Sequence, residues 1–209
     1  MNEAAEAELK KKKDLHGLRL IFGEDTNESD AEKMEGVLKN LEPHENLEEL
    51  RIKGYPGLHF PDWIARLSNL VDLTIDSCKN LRVLPDLSKL KSLETLWIYK
   101  LEEHEEMVTI GECSSYPNLK SVSIFSSPHS SLPKGFNRLT SIQRLELFKC
   151  ETLDFELEEL KHLTMLQKLW IGDCPILKER CGEGKDWRST LSHVPKIYID
   201  DKEITASRN

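Results

Sequence analysis

The feature that most limits how this chain can fold is a spacing: three aliphatic residues at positions i, i+3 and i+5, eight times over. The copies are Leu15/Leu18/Leu20, Leu47/Leu50/Ile52, Leu70/Leu73/Ile75, Leu93/Leu96/Ile98, Leu119/Val122/Ile124, Ile142/Leu145/Leu147, Leu166/Leu169/Ile171 and Val194/Ile197/Ile199. From Leu47 onward, successive copies start 23, 23, 26, 23, 24 and 28 residues apart, after a first gap of 32. The last two aliphatics of each copy share one face of a strand, and the residues between and beside them point the other way. One such unit cannot bury its apolar face alone, whereas stacked copies share a continuous core.

Template and period are those of leucine-rich repeats. The expected fold is α/β: a leucine-rich-repeat solenoid with a curved parallel sheet of about eight strands and an irregular or short-helical outer face. At about 4.8 Å between strands, the inner arc is roughly 34 Å long. Cys78, Cys150 and Cys174 each lie three residues past a template aliphatic, where such repeats place Asn or Cys. They read as buried turn residues. Phe60-Pro61, Leu84-Pro85 and Leu132-Pro133 mark outer turns, where no ladder needs the missing N–H. Ser29-Asp30-Ala31-Glu32 reads as a capping box. Ala31, Met34, Val37, Leu38 and Leu41 follow it at helical spacing, and Phe155–His162 is a candidate second helix.

The whole chain, 1–209, is expected to be one domain. Residues 1–14 form a helical lead-in, with Glu6/Lys10 and Glu8/Lys12 at ion-pair spacing. Residues 15–199 carry the repeats, and 200–209 a flexible tail.

Composition excludes some functions. Net charge is -8, which argues against a nucleic-acid surface. No apolar run reaches the ~18 residues of a membrane span. Five cysteines without a hydrophobic leader fit a reducing compartment, so a cytoplasmic location is expected and the lone sequon Asn27-Glu28-Ser29 is idle. Gly184-Lys185 lacks the glycine spacing of a phosphate loop, and His104-Glu105 is followed by Val108 where a second zinc-binding histidine would stand. Cys174, Cys181 and His193 match no common zinc spacing. Cys113 has no placed base, and there is no nucleophile elbow. No enzyme, metal site or cofactor is expected.

The face opposite the core carries aromatics. Tyr99, Phe125 and Phe148 fall in the column just after the last template residue; Trp97, Trp170 and Tyr198 fall between the last two aliphatics. Ser123 and Glu146 share that second column. Arg51, Lys53, Asp76, Lys120, Arg144 and Lys149 flank them. Cross-strand packing is one reading, at roughly 0.2–1 kcal/mol per pair, and a small-molecule groove is another. A protein-binding concave face centred on Trp97, Tyr99, Phe125, Phe148, Trp170 and Tyr198 fits better, because exposed apolar patches mark interaction surfaces and Trp and Tyr are favoured anchors.

Longer strings narrow the kind of repeat. "NLEPHENLEELRIKGYPGLHFPDWI" (Asn40–Ile64), "LWIGDCPILKERCGEGKDWRSTLSHVPKIYID" (Leu169–Asp200) and "AEAELKKKKDLHGLRLIFGED" (Ala5–Asp25) resemble the C-terminal repeats of plant nucleotide-binding, leucine-rich-repeat disease-resistance proteins of the coiled-coil class. The resemblance implies a non-catalytic module that senses a pathogen effector or a guarded host protein, or that restrains the receptor's nucleotide-binding domain. It implies a protein partner, no nucleic acid, no membrane and a monomer in isolation. The nucleotide-binding motifs of that family are absent from these residues. A stand-alone short adaptor or decoy on a host protein is the second reading.

Overall fold

The computed structural model describes residues 2–23, 30–81, 83–100, 110, 116, 118–182, 187–200 and 202–204. Each of the eight templates carries a strand: β1 Gly17–Ile21, β2 Glu49–Lys53, β3 Asp72–Asp76, β4 Thr95–Tyr99, β5 Ser121–Phe125, β6 Arg144–Phe148, β7 Lys168–Gly172 and β8 Lys196–Ile199. They pair in sequence order and parallel, and a two-residue β9, Lys202–Glu203, closes the sheet antiparallel to β8. The tail after Asp200 thus begins as a hairpin, and residues 205–209 lie outside the described residues.

Register follows the template. Leu18, Leu50, Leu73, Leu96, Val122, Leu145, Leu169 and Ile197 form one row across all eight strands, and Leu20 through Ile199 form the next. Both rows are buried from β2 onward. Leu18 and Leu20 are only half-buried, because β1 is the outermost strand and has a neighbour on one side alone.

The core is closed by short outer turns. Ile64–Arg66, Leu87–Lys89 and Phe136–Arg138 are single 3₁₀ turns, and each puts one apolar side chain (Ile64, Leu87, Phe136) into the core. Pro61 and Pro133 serve as acceptors here: their carbonyls receive the N–H of Ile64 and Phe136. The candidate helix at Phe155–His162 is a 3₁₀ helix over Leu157–His162, burying Leu157 and Leu160.

Among the described residues, three short helices complete the repeat region. α2, Ala31–Asn40, buries Leu38 and packs Met34 and Val37 on the core. Asp30 makes no side-chain bond to its N-terminus, and Ser29 of the expected capping box lies outside the described residues. α3, Pro175–Arg180, starts on a proline, whose missing N–H is not needed there. α4, Trp187–Thr190, buries Trp187.

The lead-in departs from expectation. α1, Asn2–Glu6, stops before a separate 3₁₀ turn, Leu9–Lys11, because Glu8 takes a left-handed conformation. Glu6/Lys10 and Glu8/Lys12 therefore never align. Glu8 pairs with Lys11, and Lys10 reaches Glu42 at the end of the next helix region.

A second regular feature runs along the strand ends. The residue after each of β2 to β8 has positive φ: Gly54 (69°), Ser77 (54°), Lys100 (47°), Ser126 (52°), Lys149 (53°), Asp173 (52°) and Asp200 (52°). For the first five, the N–H donates to the carbonyl of the last residue of the following strand, at 2.8–2.9 Å. The turn thus extends the ladder one step past the strand and swings the chain outward. Gly54 has a further constraint, since a Cβ there would lie 2.7 Å from the Phe22 carbonyl oxygen.

The cysteines sit directly behind this turn. Cys78, Cys150 and Cys174 are buried, each thiol facing two backbone carbonyls, such as Gly172 at 3.3 Å and Leu147 at 3.5 Å for Cys174. Burial pushes the Cys78 thiol up to about 12, and the neighbouring Cys150 thiol together with burial pushes Cys174 up. Both are neutral thiols, as a structural turn residue requires. Cys113 lies outside the described residues.

Candidate protein-binding face

The core row and the aromatic row are the two faces of the same strands. Leu96 and Ile98 are buried, so Trp97 and Tyr99 stand on the open face. Parallel register then lines up Trp97, Ser123, Glu146, Trp170 and Tyr198 in one row, and Tyr99, Phe125, Phe148 and Gly172 in the adjacent one.

All six sequence-predicted aromatics come together, and they form one unbroken chain of rings. Tyr99 and Phe125 stack with centroids 4.6 Å apart, Phe125 and Phe148 at 5.3 Å, Phe148 and Trp170 at 5.1 Å, and Trp170 and Tyr198 at 5.5 Å. Trp97 joins at 6.2 Å from Tyr99 and 6.0 Å from Phe125. These separations are the favoured range for aromatic pairs. The two rows merge because of Gly172. A Cβ there would lie 2.4 Å from Cε1 of Phe148, so glycine alone lets that ring lie across the next strand toward Trp170.

The polar ends of three of the rings are tied down. The Trp97 indole N–H donates to Asp72 Oδ2 at 3.0 Å, and that of Trp170 donates to the Asp200 carbonyl at 3.0 Å. Tyr198 Oη donates to Glu203 Oε2 at 3.2 Å. Burial raises the Tyr99 hydroxyl above its ordinary value, and burial with the Glu203 bond does the same at Tyr198. The rings are half-buried against each other. The large apolar side chains that are most exposed, Ile21, Leu58, Val71, Val83 and Met165, are all outside this group.

Beneath and beside the rings lie polar groups that the aliphatic template does not announce. Ser123 is fully buried and donates to Glu146 Oε2 at 3.1 Å. Glu146 Oε1 is 3.9 Å from Arg144 and 4.0 Å from Lys168. The Lys168 ammonium lies over the rings of Trp170, at 4.5 Å, and Tyr198, at 5.1 Å. Arg51 donates to Asp76 at 2.7 Å. Burial raises the Asp76 carboxyl, but hydrogen bonds from Arg51 and Ser77 and the Arg51 charge outweigh it and hold the group below the usual carboxylate range.

One flanking residue lies elsewhere. Lys149 is the left-handed residue after β6, and it lines a cavity of about 500 Å³ at the strand ends with Ser126, Ser127, Pro128, Glu151, Thr152 and Asp173. Asp72, Lys168 and Gly172 were missing from the sequence-level site. Gly172 alone carried a signal, as the one glycine at a strand's final position.

Among the described residues there is no group of three or more potential metal ligands, and no helix is long and apolar enough to cross a membrane.

Comparison with known proteins gives the repeats a family. Residues 1–101 match the model of the R13L1/DRL21 leucine-rich repeats. The disease resistance protein RGA2 of Solanum bulbocastanum is 31% identical over 84% of this chain, and the putative disease resistance protein RGA1 of the same species is 38% identical over 46%. A putative disease resistance RPP13-like protein 1 of Arabidopsis thaliana is 26% identical over 74%. The chain spans 17%, 10% and 19% of those three proteins' lengths. Among solved structures, the leucine-rich repeat domain of the type III effector XopL aligns over 95% of this chain and 82% of that one, with a TM-score of 0.44 and 18% identity. Repeat, sheet and relatives together make this chain a leucine-rich-repeat domain of the kind found in plant disease resistance proteins.

Proposed function

We propose that the chain is a non-catalytic protein-recognition module of plant defence, acting inside the cell, and that its binding surface is the aromatic row of the open sheet face. The partner is a pathogen effector, a guarded host protein or the nucleotide-binding domain of the same receptor. The observation that carries this reading is the row itself. Six rings, three of them with the N–H or O–H already partnered, lie on the face whose opposite side packs into the core. Such rigid, amphipathic surface is what interface centres are made of. The relatives' role in disease resistance supports the setting.

The test is capture from plant tissue by the wild type, Trp97→Ala, Phe125→Ala and Glu159→Lys, the last an exposed change on the outer 3₁₀ turn. Both aromatic variants are expected to lose a partner that Glu159→Lys retains, by more than about tenfold in affinity. Full capture by folded Trp97→Ala and Phe125→Ala would place the binding surface elsewhere.

A further inference from the structure

One row of the open face, next to the rings, changes sign once along the sheet. In register order it reads Gly17, Glu49, Asp72, Thr95, Ser121, Arg144, Lys168, Lys196. Two acids stand at one end and three cations at the other. Like charges directly opposite on adjacent strands repel and destabilise a sheet. Arg144, Lys168 and Lys196 are three such neighbours, each about 4.8 Å from the next.

The fold does little to neutralise them. The carboxylate near Arg144 and Lys168 is Glu146, whose Oε1 stands at 3.9 and 4.0 Å and whose other oxygen is taken by Ser123. Among the described residues, Lys196 is exposed and has no carboxylate within ion-pair distance. This happens in a protein whose net charge is -8. A cluster that costs stability against the overall charge is the kind of local inconsistency that function accounts for. Lys168 is also positioned: its ammonium sits over Trp170 and Tyr198, so charge and aromatic anchor present one continuous surface.

We propose that the β6–β8 end of the open face receives an acidic segment of a polypeptide. Two or three carboxylates spread over about 10 Å, the span of two strand steps, meet Arg144, Lys168 and Lys196, while an adjacent apolar side chain rests on Phe148 and Trp170. The acids Glu49 and Asp72 repel the same segment from the other end and so fix its place. A nucleic acid fits less well, because its charges continue past three phosphates into an acidic protein. The inference rests on the reading of this face as protein-binding.

The experiment uses the 209-residue protein and fluorescence anisotropy with four labelled probes. Three are synthetic peptides with one Leu-Trp-Leu centre flanked by Glu, by Gln or by Lys; the fourth is a single-stranded oligonucleotide. The Glu peptide is expected to bind at least about tenfold more tightly than the Gln peptide, and less tightly as salt rises. Lys168→Glu with Lys196→Glu should remove that preference and favour the Lys peptide. Glu49→Lys, at the exposed acid of the far end, should not weaken the Glu peptide. The double variant exchanges one like-charge pair on adjacent strands for another and sets an acid near Glu146, so its melting temperature is the check that it folds.

Failure to bind the Glu peptide, equal binding of Glu and Gln peptides, a preference that survives the double variant, or tighter binding of the oligonucleotide would each overturn the inference. The two readings separate cleanly. If Glu and Gln peptides bind equally and Phe125→Ala abolishes both, the aromatic surface stands and the acidic preference falls. If no peptide binds and tissue capture ignores the aromatic variants, both fall.

Discussion

Replacing Lys149 by glycine should stabilise this protein, although glycine normally weakens a folded chain. Lys149 has φ of 53° in the turn after β6, and its N–H is fixed by the Gly172 carbonyl at 2.9 Å. A side chain in that region costs about 1–2 kcal/mol from the clash of Cβ with the backbone. Glycine removes the clash but adds unfolded-state freedom worth about 0.5–1 kcal/mol. The net gain is about 0.5–1 kcal/mol, or about 1–4 °C in melting temperature for a chain of this length. Urea unfolding should show a higher midpoint at unchanged slope, as expected when only stability changes. Lys149→Ala keeps the Cβ and should stay within about 0.5 kcal/mol of wild type. Ser77→Gly, at φ of 54°, should gain less, because Ser77 Oγ also donates to Asp76 at 2.9 Å. If Lys149→Gly is no more stable than Lys149→Ala, the repeated turn stores no strain and the argument fails.

Two further outcomes test the core and the open face. Leu145→Ala, at a fully buried position in the middle of the sheet, should cost about 2–5 kcal/mol in urea unfolding, and Leu18→Ala on half-buried β1 well under that; equal costs would contradict the stacked core. Asp76 has a folded pKa below its unfolded value of about 3.9, so its stabilisation is complete above that value and is lost as pH falls through the folded one. Asp76→Asn should therefore cost about 1.5–3 kcal/mol at neutral pH, with the gap to wild type closing as pH falls below the ordinary carboxylate range, and a gap that persists in acid would mean that the effect is not ionic.

The parts of the fold legible in the sequence are those set by period. Alternation put Leu96 and Ile98 inside and Trp97 and Tyr99 outside, and the 23–28-residue steps put the strands side by side in register. What escaped depends on contacts between repeats or on conformations that leave no compositional trace. The left-handed turn is filled by Ser, Lys and Asp as well as by Gly54, so no glycine pattern betrays it. Glu6/Lys10 and Glu8/Lys12 have good helical spacing, yet Glu8 is left-handed and Lys10 turns to Glu42, a partner from another part of the chain. Leu157–His162 carries helical periodicity but is wound as a 3₁₀ helix, as are the shorter outer turns.

The site shows the same division. The two aromatic columns can be read from alternation, but their fusion cannot, because it depends on the Phe148 ring crossing the empty position at Gly172. Packing and binding are separate readings of the aromatics in the sequence; in the fold, the packing that orders the rings is compatible with the proposed binding. Trp97 is held by Asp72, Trp170 by the Asp200 carbonyl, and every ring by the next, so few rotamers remain to be lost when a partner arrives. Ordering a free side chain at an interface costs about 0.5–1.5 kcal/mol, and a row already ordered by its neighbours avoids most of that. The same neighbours leave one side of each half-buried ring open, which makes a stabilising ladder also a rigid, largely apolar surface. Under the proposed function, removing any one ring acts twice, once on the sheet and once on the partner, and measurement of both separates the two.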